Sequence, residues 1–207
     1  MYNFLERLED KFWLWYFKKH VGVGAQHVIL HWQEWEIGVW NKAEFLAQRG
    51  SMELSDFLDK IREENPKTTF KPKDIQRVLN ILTNTGMTHA GKLNTGELTT
   101  FWTNVAIGKG SAAEDVNNTT LQTEEKRKAF AVGGNAKVVN QTEKYSHIFY
   151  DTDMVSALPV TITEAGIFHQ AAGGDMYARV VAAGKVVNTG DLITVQINVT
   201  HINGTQV

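Results

Sequence analysis

The sequence lacks several features that would assign it to a familiar class of protein. It contains no cysteine, which excludes disulfide bonds and thiolate metal ligands. Its formal net charge of -2 provides no basic field that would attract nucleic acid. No apolar stretch approaches the ~20 residues that a membrane-spanning helix requires. The opening MYNFLERLED carries acidic residues where a secretory signal carries basic ones. We therefore expect no nucleic-acid partner, no membrane span and no signal peptide.

The composition changes near residue 100, and such a shift predicts two structural units. Five of the six tryptophans lie within the first 40 residues, and after Trp102 the chain becomes rich in Val, Thr, Asn, Gly and Ala. We predict an α+β fold with two domains. Residues 1–99 would be a helical docking and oligomerisation region, and residues 100–207 an antiparallel β-sandwich that folds without it.

Apolar residues at helical spacing predict the helices of the first region. One stripe consists of Leu54, Phe57, Leu58 and Ile61. A second stripe consists of Ile75, Val78, Leu79 and Leu82, and it predicts a helix between Pro72 and Gly86. Two further helices are predicted over residues 3–19 and roughly 25–48.

Alternation of apolar and polar residues predicts strands in the second region. The clearest case is residues 192–202, where the apolar positions are Ile193, Val195, Ile197 and Val199. The segments VTITEAGIF (160–168) and DMYARVV (175–181) flank HQAAGG, which is typical of a hairpin loop. Short strands separated by such turns favour an antiparallel sandwich or a small barrel.

His27, His31 and Glu34 are weak candidates for a metal site. Their spacing of i, i+4 and i+7 places them on one face of a helix, where two histidines can share a zinc ion. The HExxH pattern of zinc peptidases is absent, and a solvated or packed helix face explains the same residues. We therefore predict no metal, no cofactor and no catalytic residue.

The segment FWLWYF at residues 12–17 is the most unusual part of the sequence. A helix that is apolar on every side must be buried, and a small helical region has too small a core to bury five tryptophans by itself. We therefore predict an interface in a homo-oligomer or in a complex with another protein. It would comprise Phe12, Trp13, Trp15, Tyr16, Phe17, Trp32, Trp35 and Trp40.

Four segments, in order, resemble a β module of structural proteins from tailed bacterial and archaeal viruses. They are TNVAIGKGS (103–111), TTLQTEEKRKAF (119–130), ITEAGIFHQAAGGDMYARVV (162–181) and LITVQINVTHI (192–202). The resemblance covers about half the chain, and the sequence departs from the pattern of the module at Lys109 and His169. No family resemblance extends to the first hundred residues.

The resemblance implies a role in assembly and gives Glu164 a structural role. A buried carboxylate needs a compensating donor, and Arg127 and Arg179 are the two candidates. Gly166 would allow close approach of backbone. Gly173 and Gly174 would supply the positive φ angles of a tight connection.

The implied function is that of a virion structural protein without enzymatic activity. Its place would be the capsid surface, as a decoration or turret subunit, or the tail, as a baseplate or fibre-associated subunit. Its partners would be other virion proteins and copies of itself. An alternative is a carbohydrate-binding module or adhesin with a glycan partner. A third, less favoured, is a metal-dependent enzyme built on the candidate metal site at His27, His31 and Glu34.

Overall fold

The computed structural model describes residues 29–64, 72–79, 81–99, 101–132, 134–139 and 142–203. The helices among these residues are α1 (Lys42–Arg49), α2 (Leu54–Glu64) and α3 (Asn84–Thr95). The strands are β1 (Ile29–Asn41), β2 (Asp74–Leu79), β3 (Ile81–Leu82), β4 (Asn104–Gly108), β5 (Glu124–Ala129), β6 (Gly134–Val139), β7 (Thr142–Tyr150), β8 (Val160–Phe168), β9 (Met176–Val187) and β10 (Asp191–Asn203).

These strands form two five-stranded antiparallel sheets. The first, sheet A, has the order β2-β1-β10-β7-β6. The second, sheet B, has the order β3-β9-β8-β4-β5. The predicted hairpin is present, since β8 and β9 pair along most of their length. The α+β class with a β-sandwich is therefore confirmed.

A single apolar core lies between the two sheets. Strand β10 contributes Ile193, Val195, Ile197 and Val199, all fully buried, as the alternation predicts. Sheet B contributes Ile107 from β4, Ile167 from β8 and Val180 from β9, among others. Burying each such side chain stabilises the fold by about 1.5–3 kcal/mol.

Helices α1 and α2 form a second apolar cluster with residues of sheet A. Its helical members are Phe45, Leu54, Phe57, Leu58 and Ile61, and its strand members are Trp40, Ile148 and Leu192. The predicted stripe of α2 is thus fully buried. This cover also buries polar residues of β10. Thr194 accepts a hydrogen bond from Trp40 Nε1 at 2.9 Å, and Gln196 donates to Asp59 at 2.9 Å.

Two of the helix predictions are wrong. Most of the predicted helix 25–48 is strand β1, and α1 begins only at Lys42. The predicted helix between Pro72 and Gly86 is replaced by β2 and β3, and α3 begins at Asn84. Strand β2 pairs with β1, with Ile75 opposite Gly38. A short apolar run fits both the helical period of about 3.6 residues and the strand period of 2, and here pairing with a neighbouring strand decides the structure. The predicted helix at 3–19 lies outside the described residues.

The structure has no boundary at residue 100 within its described part. Trp32–Thr200 forms one compact unit. Strands β1 and β2 lie in the same sheet as β7 and β10, while β3 pairs with β9. Trp35, Ile37 and Val39 of β1 belong to the same core as the apolar face of β10. The residues on the two sides of the predicted boundary therefore build one sandwich.

Candidate functional site

The carboxylate of Glu164, on β8, is fully buried and accepts four hydrogen bonds. Its Oε1 atom accepts from the backbone N–H of Gly110 at 2.8 Å and of Thr123 at 2.9 Å. Its Oε2 atom accepts from the backbone N–H of Gln122 at 3.1 Å and from Arg179 Nε at 2.8 Å. Three segments of the chain thus meet at one side chain.

The guanidinium of Arg179 is fixed by further partners. It donates to the side chain of Asn118 at 2.9 Å and to the carbonyls of Ala112 at 3.1 Å and Ala113 at 3.3 Å. Of the two predicted partners, Arg179 is therefore the one that the structure places against Glu164. This ion pair has the additional hydrogen bonds that a buried pair requires.

Arg127, the other predicted partner, instead holds the loop between β8 and β9. It donates to the carbonyls of Gln170 at 3.0 Å and Gly173 at 2.7 Å. Its guanidinium carbon lies 3.5 Å from the centre of the Phe168 ring, a cation–π contact. Gly173 and Gly174 have φ angles of 60° and 76°, in the region that favours glycine.

Glycine is required where the chain passes the Glu164 carboxylate. A Cβ on Gly110 would lie 2.5 Å from Glu164 Oε1 and 2.5 Å from Gln122 Cβ. A Cβ on Gly108 would lie 2.5 Å from the carbonyl of Thr123. In the segment GKG at 108–110, the backbone N–H of Gly110 therefore binds a carboxylate of the protein itself. At Gly166, a Cβ would be 3.0 Å from the side-chain atom Leu121 Cδ2 and 3.2 Å from the backbone carbonyl oxygen of Ala178.

The hydrogen bonds also set the charge state of Glu164. Burial alone would raise the pKa of this carboxyl. The N–H of Thr123, the Arg179 guanidinium and the N–H groups of Gln122 and Gly110 outweigh burial and hold the pKa below its ordinary value. Glu164 is therefore ionised at neutral pH. Both of its oxygens bind donors of the protein, so the geometry suits a structural role.

Two residues of the predicted interface lie in the interior instead. Trp35 is buried in the core between the sheets, and Trp40 is buried beneath α1 and α2. Both therefore contribute to the fold of this chain and offer no surface to a partner. The side chain of Trp32 lies outside the described part of the chain, as do Phe12, Trp13, Trp15, Tyr16 and Phe17.

The weak metal candidates do not form a helical face. His31 and Glu34 are part of strand β1, where helical spacing does not apply, and His27 lies outside the described residues. Glu34 forms an ion pair with Arg62 of α2, so its carboxylate already has a partner within the chain. The structure thus removes the geometric basis of this candidate site.

A different cluster of possible ligands, not predicted from the sequence, consists of His89, His169 and Asp175. His89 lies on α3, His169 directly follows β8, and Asp175 directly precedes β9. Each offers one ligand atom, and these atoms lie within 4.8 Å of one another. His89 Nδ1 is 2.9 Å from Asp175 Oδ2, and the N–H of Asp175 donates to His169 Nδ1 at 2.8 Å.

Aromatic rings pack against His89, the buried member of this cluster. The rings of His89 and His169 have centroids 4.5 Å apart, and Trp102 lies 4.5 Å from His89 on another side. Trp102 in turn stacks on Tyr177 at 4.4 Å. Two histidines and a carboxylate form a donor set that can bind a divalent transition metal. Of these three residues, the sequence alone singled out only His169, because the chain departs there from the pattern of the viral module.

Comparisons with known proteins add no family to these observations. No protein-family model, no curated protein and no solved structure matches the chain. None of the described helices is long and apolar enough to cross a membrane. The described part is thus characterised by its sandwich fold, the Glu164 network and the cluster of His89, His169 and Asp175.

Proposed function

We propose that this chain is a virion structural protein that acts through protein–protein assembly. It would be a capsid decoration or turret subunit, or a tail or baseplate-associated subunit. One observation carries the proposal: three of the four segments that resemble the viral β module meet at the buried carboxylate of Glu164.

The convergence is specific to the residues that carry the resemblance. The segment 103–111 provides the N–H of Gly110, and the segment 119–130 provides those of Gln122 and Thr123. The segment 162–181 provides Glu164 and Arg179. Three unrelated matches would have no reason to share one hydrogen-bond network. Their meeting supports a single module over three chance similarities.

The state of Glu164 favours an architectural role for that module. As an ionised carboxylate with four donors, it holds both ends of the loop between β4 and β5 around one point. A catalytic acid or base needs a hydrogen-bond position open to the substrate. In this network the positions are taken by backbone N–H groups and Arg179, so this part of the module stabilises the fold.

The alternative of a glycan-binding module receives less support. Sugars stack on exposed aromatic rings, and among the side chains that the structure describes, Phe101 is the exposed aromatic, at 66%. Trp35, Trp40 and Trp102 are all buried. A flat aromatic platform is therefore missing from the described surface.

The segment FWLWYF at residues 12–17 is the proposed contact with partners. Trp35 and Trp40 are assigned to the interior, so the proposed contact rests on the aromatic residues of the segment 12–17. We propose that they mediate self-association or docking onto another virion protein.

The test is to locate the chain in purified virus particles. Particles from an infected culture are purified on a density gradient, and their peptides are quantified by mass spectrometry. The chain should co-purify with the major capsid protein at a fixed copy number and persist through salt washes, while an abundant host protein serves as the control. Recovery only in the particle-free lysate would contradict the proposal. If the isolated protein then bound a glycan array, the adhesin would be favoured.

The assembly contact is tested separately on the purified chain. A variant with Trp13→Ser and Trp15→Ser should have a lower mass by multi-angle light scattering than the unaltered chain. The matched control carries Lys18→Ser and Lys19→Ser, which alter the same segment without removing apolar surface. A monomeric unaltered chain, or equal masses for all three proteins, would contradict self-association through this segment.

A further inference from the structure

We propose that His89, His169 and Asp175 form a binding site for a divalent transition-metal ion, of which zinc is the best probe. The ion would join helix α3 to the loop between β8 and β9. This inference is independent of the role in a virion.

The donor set is the first reason. Neutral imidazole nitrogens and a carboxylate oxygen are common ligands of Zn²⁺, and the same set also suits Co²⁺, Ni²⁺ and Fe²⁺. Ligand atoms of a tetrahedral zinc ion lie about 3.3 Å from one another, given bonds of roughly 2.0–2.1 Å. Here the three atoms lie within 4.8 Å, and His89 Nδ1 is already 2.9 Å from Asp175 Oδ2. Small side-chain movements would therefore complete the geometry.

The backbone of Asp175 can orient His169 as a ligand. His169 Nδ1 lies 2.8 Å from the N–H of Asp175 and 3.3 Å from its carbonyl oxygen. The shorter contact has Nδ1 accepting from the Asp175 N–H. In the other tautomer Nδ1 donates to the Asp175 carbonyl, which leaves Nε2 unprotonated and able to bind a metal. A backbone carbonyl in this position is a frequent second partner of metal-binding histidines, because it fixes the tautomer and the ring.

The surroundings provide one rigid side and one open side. His89 is 2% exposed and packs beside Trp102, so its ring has little freedom. The Asp175 side chain is 41% exposed, which gives an ion a path from solvent. Three protein ligands leave a fourth position, which water or a group from another molecule can occupy. The site is therefore an open one, with a buried anchor and an exposed carboxylate.

Metal binding by the cluster must be distinguished from a simple hydrogen bond between His89 and Asp175. It must also be distinguished from binding by the N-terminal histidines His27 and His31. Substitution of the buried His89 could disturb folding, so the informative changes are at the more exposed members. His169→Ala removes one ligand, and Asp175→Asn keeps a hydrogen-bond acceptor while removing the charge.

The experiment uses the full chain, freed of metal with a chelator and titrated with zinc chloride by calorimetry. Cobalt absorption spectra report the coordination geometry. Loss of second-sphere partners alone lowers metal affinity about 10–100-fold, so His169→Ala and Asp175→Asn should each weaken zinc binding at least tenfold. Gln170→Ala, in the same exposed loop, is the matched control and should bind as the unaltered chain does. Circular dichroism melts verify that each variant is folded.

Two further readouts decide the outcome. A double variant with His27→Ala and His31→Ala should retain the site. Zinc should also raise the melting temperature of the unaltered chain and of this double variant, but not that of His169→Ala. The proposal is overturned if the folded, metal-free chain binds no zinc in the micromolar range. It is equally overturned if His169→Ala binds as tightly as the unaltered chain, or if only the His27 and His31 variant loses binding.

Discussion

Arg179 Nε lies 2.8 Å from Glu164 Oε2, and the two side chains are 3% and 0% exposed. The pair is formed across neighbouring strands, since Gly166 of β8 pairs with Arg179 of β9. A buried charge that loses its partner is strongly destabilising, because no water replaces the lost interaction. The stability of the sandwich should therefore depend on both members of the pair.

Replacing Glu164 with alanine should destabilise the protein severely. The change leaves Arg179 buried without its counter-ion and three backbone N–H groups without their acceptor. The expected loss is on the order of 3–5 kcal/mol in the free energy of unfolding. For a chain of this size each kcal/mol lowers the melting temperature by about 2–4 °C, and a thermal melt followed by circular dichroism measures it.

Two variants control for this change. Glu164→Gln keeps the shape, but its amide NH2 must then face two donors, either those of Gly110 and Thr123 or those of Gln122 and Arg179, so it should also melt well below the unaltered chain. Glu97→Gln alters an exposed carboxylate near the end of α3 and should stay within about 0.5 kcal/mol. Unchanged melting of Glu164→Gln would show that charge at this position is unimportant.

The stabilisation from Glu164 should disappear in acid. Hydrogen bonds hold the folded-state pKa of Glu164 below its ordinary value of 4.5. The unfolded chain therefore binds the proton first as pH falls. The contribution of Glu164 is complete above the ordinary value and is lost as the pH drops through the lowered pKa.

Urea unfolding between pH 7 and pH 3 would measure this effect. The gap in free energy between the unaltered chain and Glu164→Gln should narrow toward the acidic end. Comparing the two proteins is necessary because the pKa values of Glu125, Asp151 and Asp191 are lowered as well. A gap that stays constant over the whole range would mean that Glu164 keeps its ordinary pKa in the folded protein.

Two glycine-to-alanine changes should alter the stability of the protein in opposite directions. At Gly110 the new Cβ would meet Glu164 Oε1 and Gln122 Cβ, both at 2.5 Å. Relief of such overlap costs about 1–3 kcal/mol. At Gly91, within α3, a Cβ meets nothing within 4 Å, and alanine should stabilise the helix by roughly 0.5–1 kcal/mol. Thermal melts of both variants provide the check, and a stable Gly110→Ala protein would contradict the tight packing of this loop.

Some segments follow the structure that their sequence pattern predicts and others do not, for a physical reason. The alternation in β10 and the stripe of α2 each had one consistent period, and both predictions hold in the structure. The apolar spacing between Ile75 and Leu82 fitted a helix. The sequence alone does not show that residues of this segment pair with β1. In β1 itself, Trp35, Ile37 and Val39 alternate with period 2, a strand signal inside the segment predicted as the helix 25–48.

The candidate sites show the same limit. Arg127 and Arg179 were the candidate partners of Glu164 because the resemblance implied a structural carboxylate and a buried carboxylate needs a compensating charge. The cluster at His169 could not be predicted, since His89 stands 80 positions earlier and only the packing of α3 beside the β8–β9 loop joins them. Long-range contacts of this kind leave no spacing pattern in a single sequence.

The last prediction concerns the fragment of residues 100–207, and the structure reverses the expectation drawn from composition. This fragment lacks β1, β2 and β3, so β10 loses one of its two neighbours in sheet A, namely β1. The core loses Trp35, Ile37 and Val39, each of which contributes about 1.5–3 kcal/mol of burial. That loss is comparable with the 5–15 kcal/mol total stability of a typical domain.

The fragment should therefore show no cooperative thermal transition, and it should aggregate through the uncovered faces of sheet A. Co-expression with residues 1–99 should restore a soluble complex, because the missing strands and helices α1 and α2 would then be supplied in trans. The full-length chain is the reference for the melt. A soluble, cooperatively melting fragment would instead show that β4 to β10 form a complete domain. The strands of the first hundred residues would then not be required for the sheets to fold.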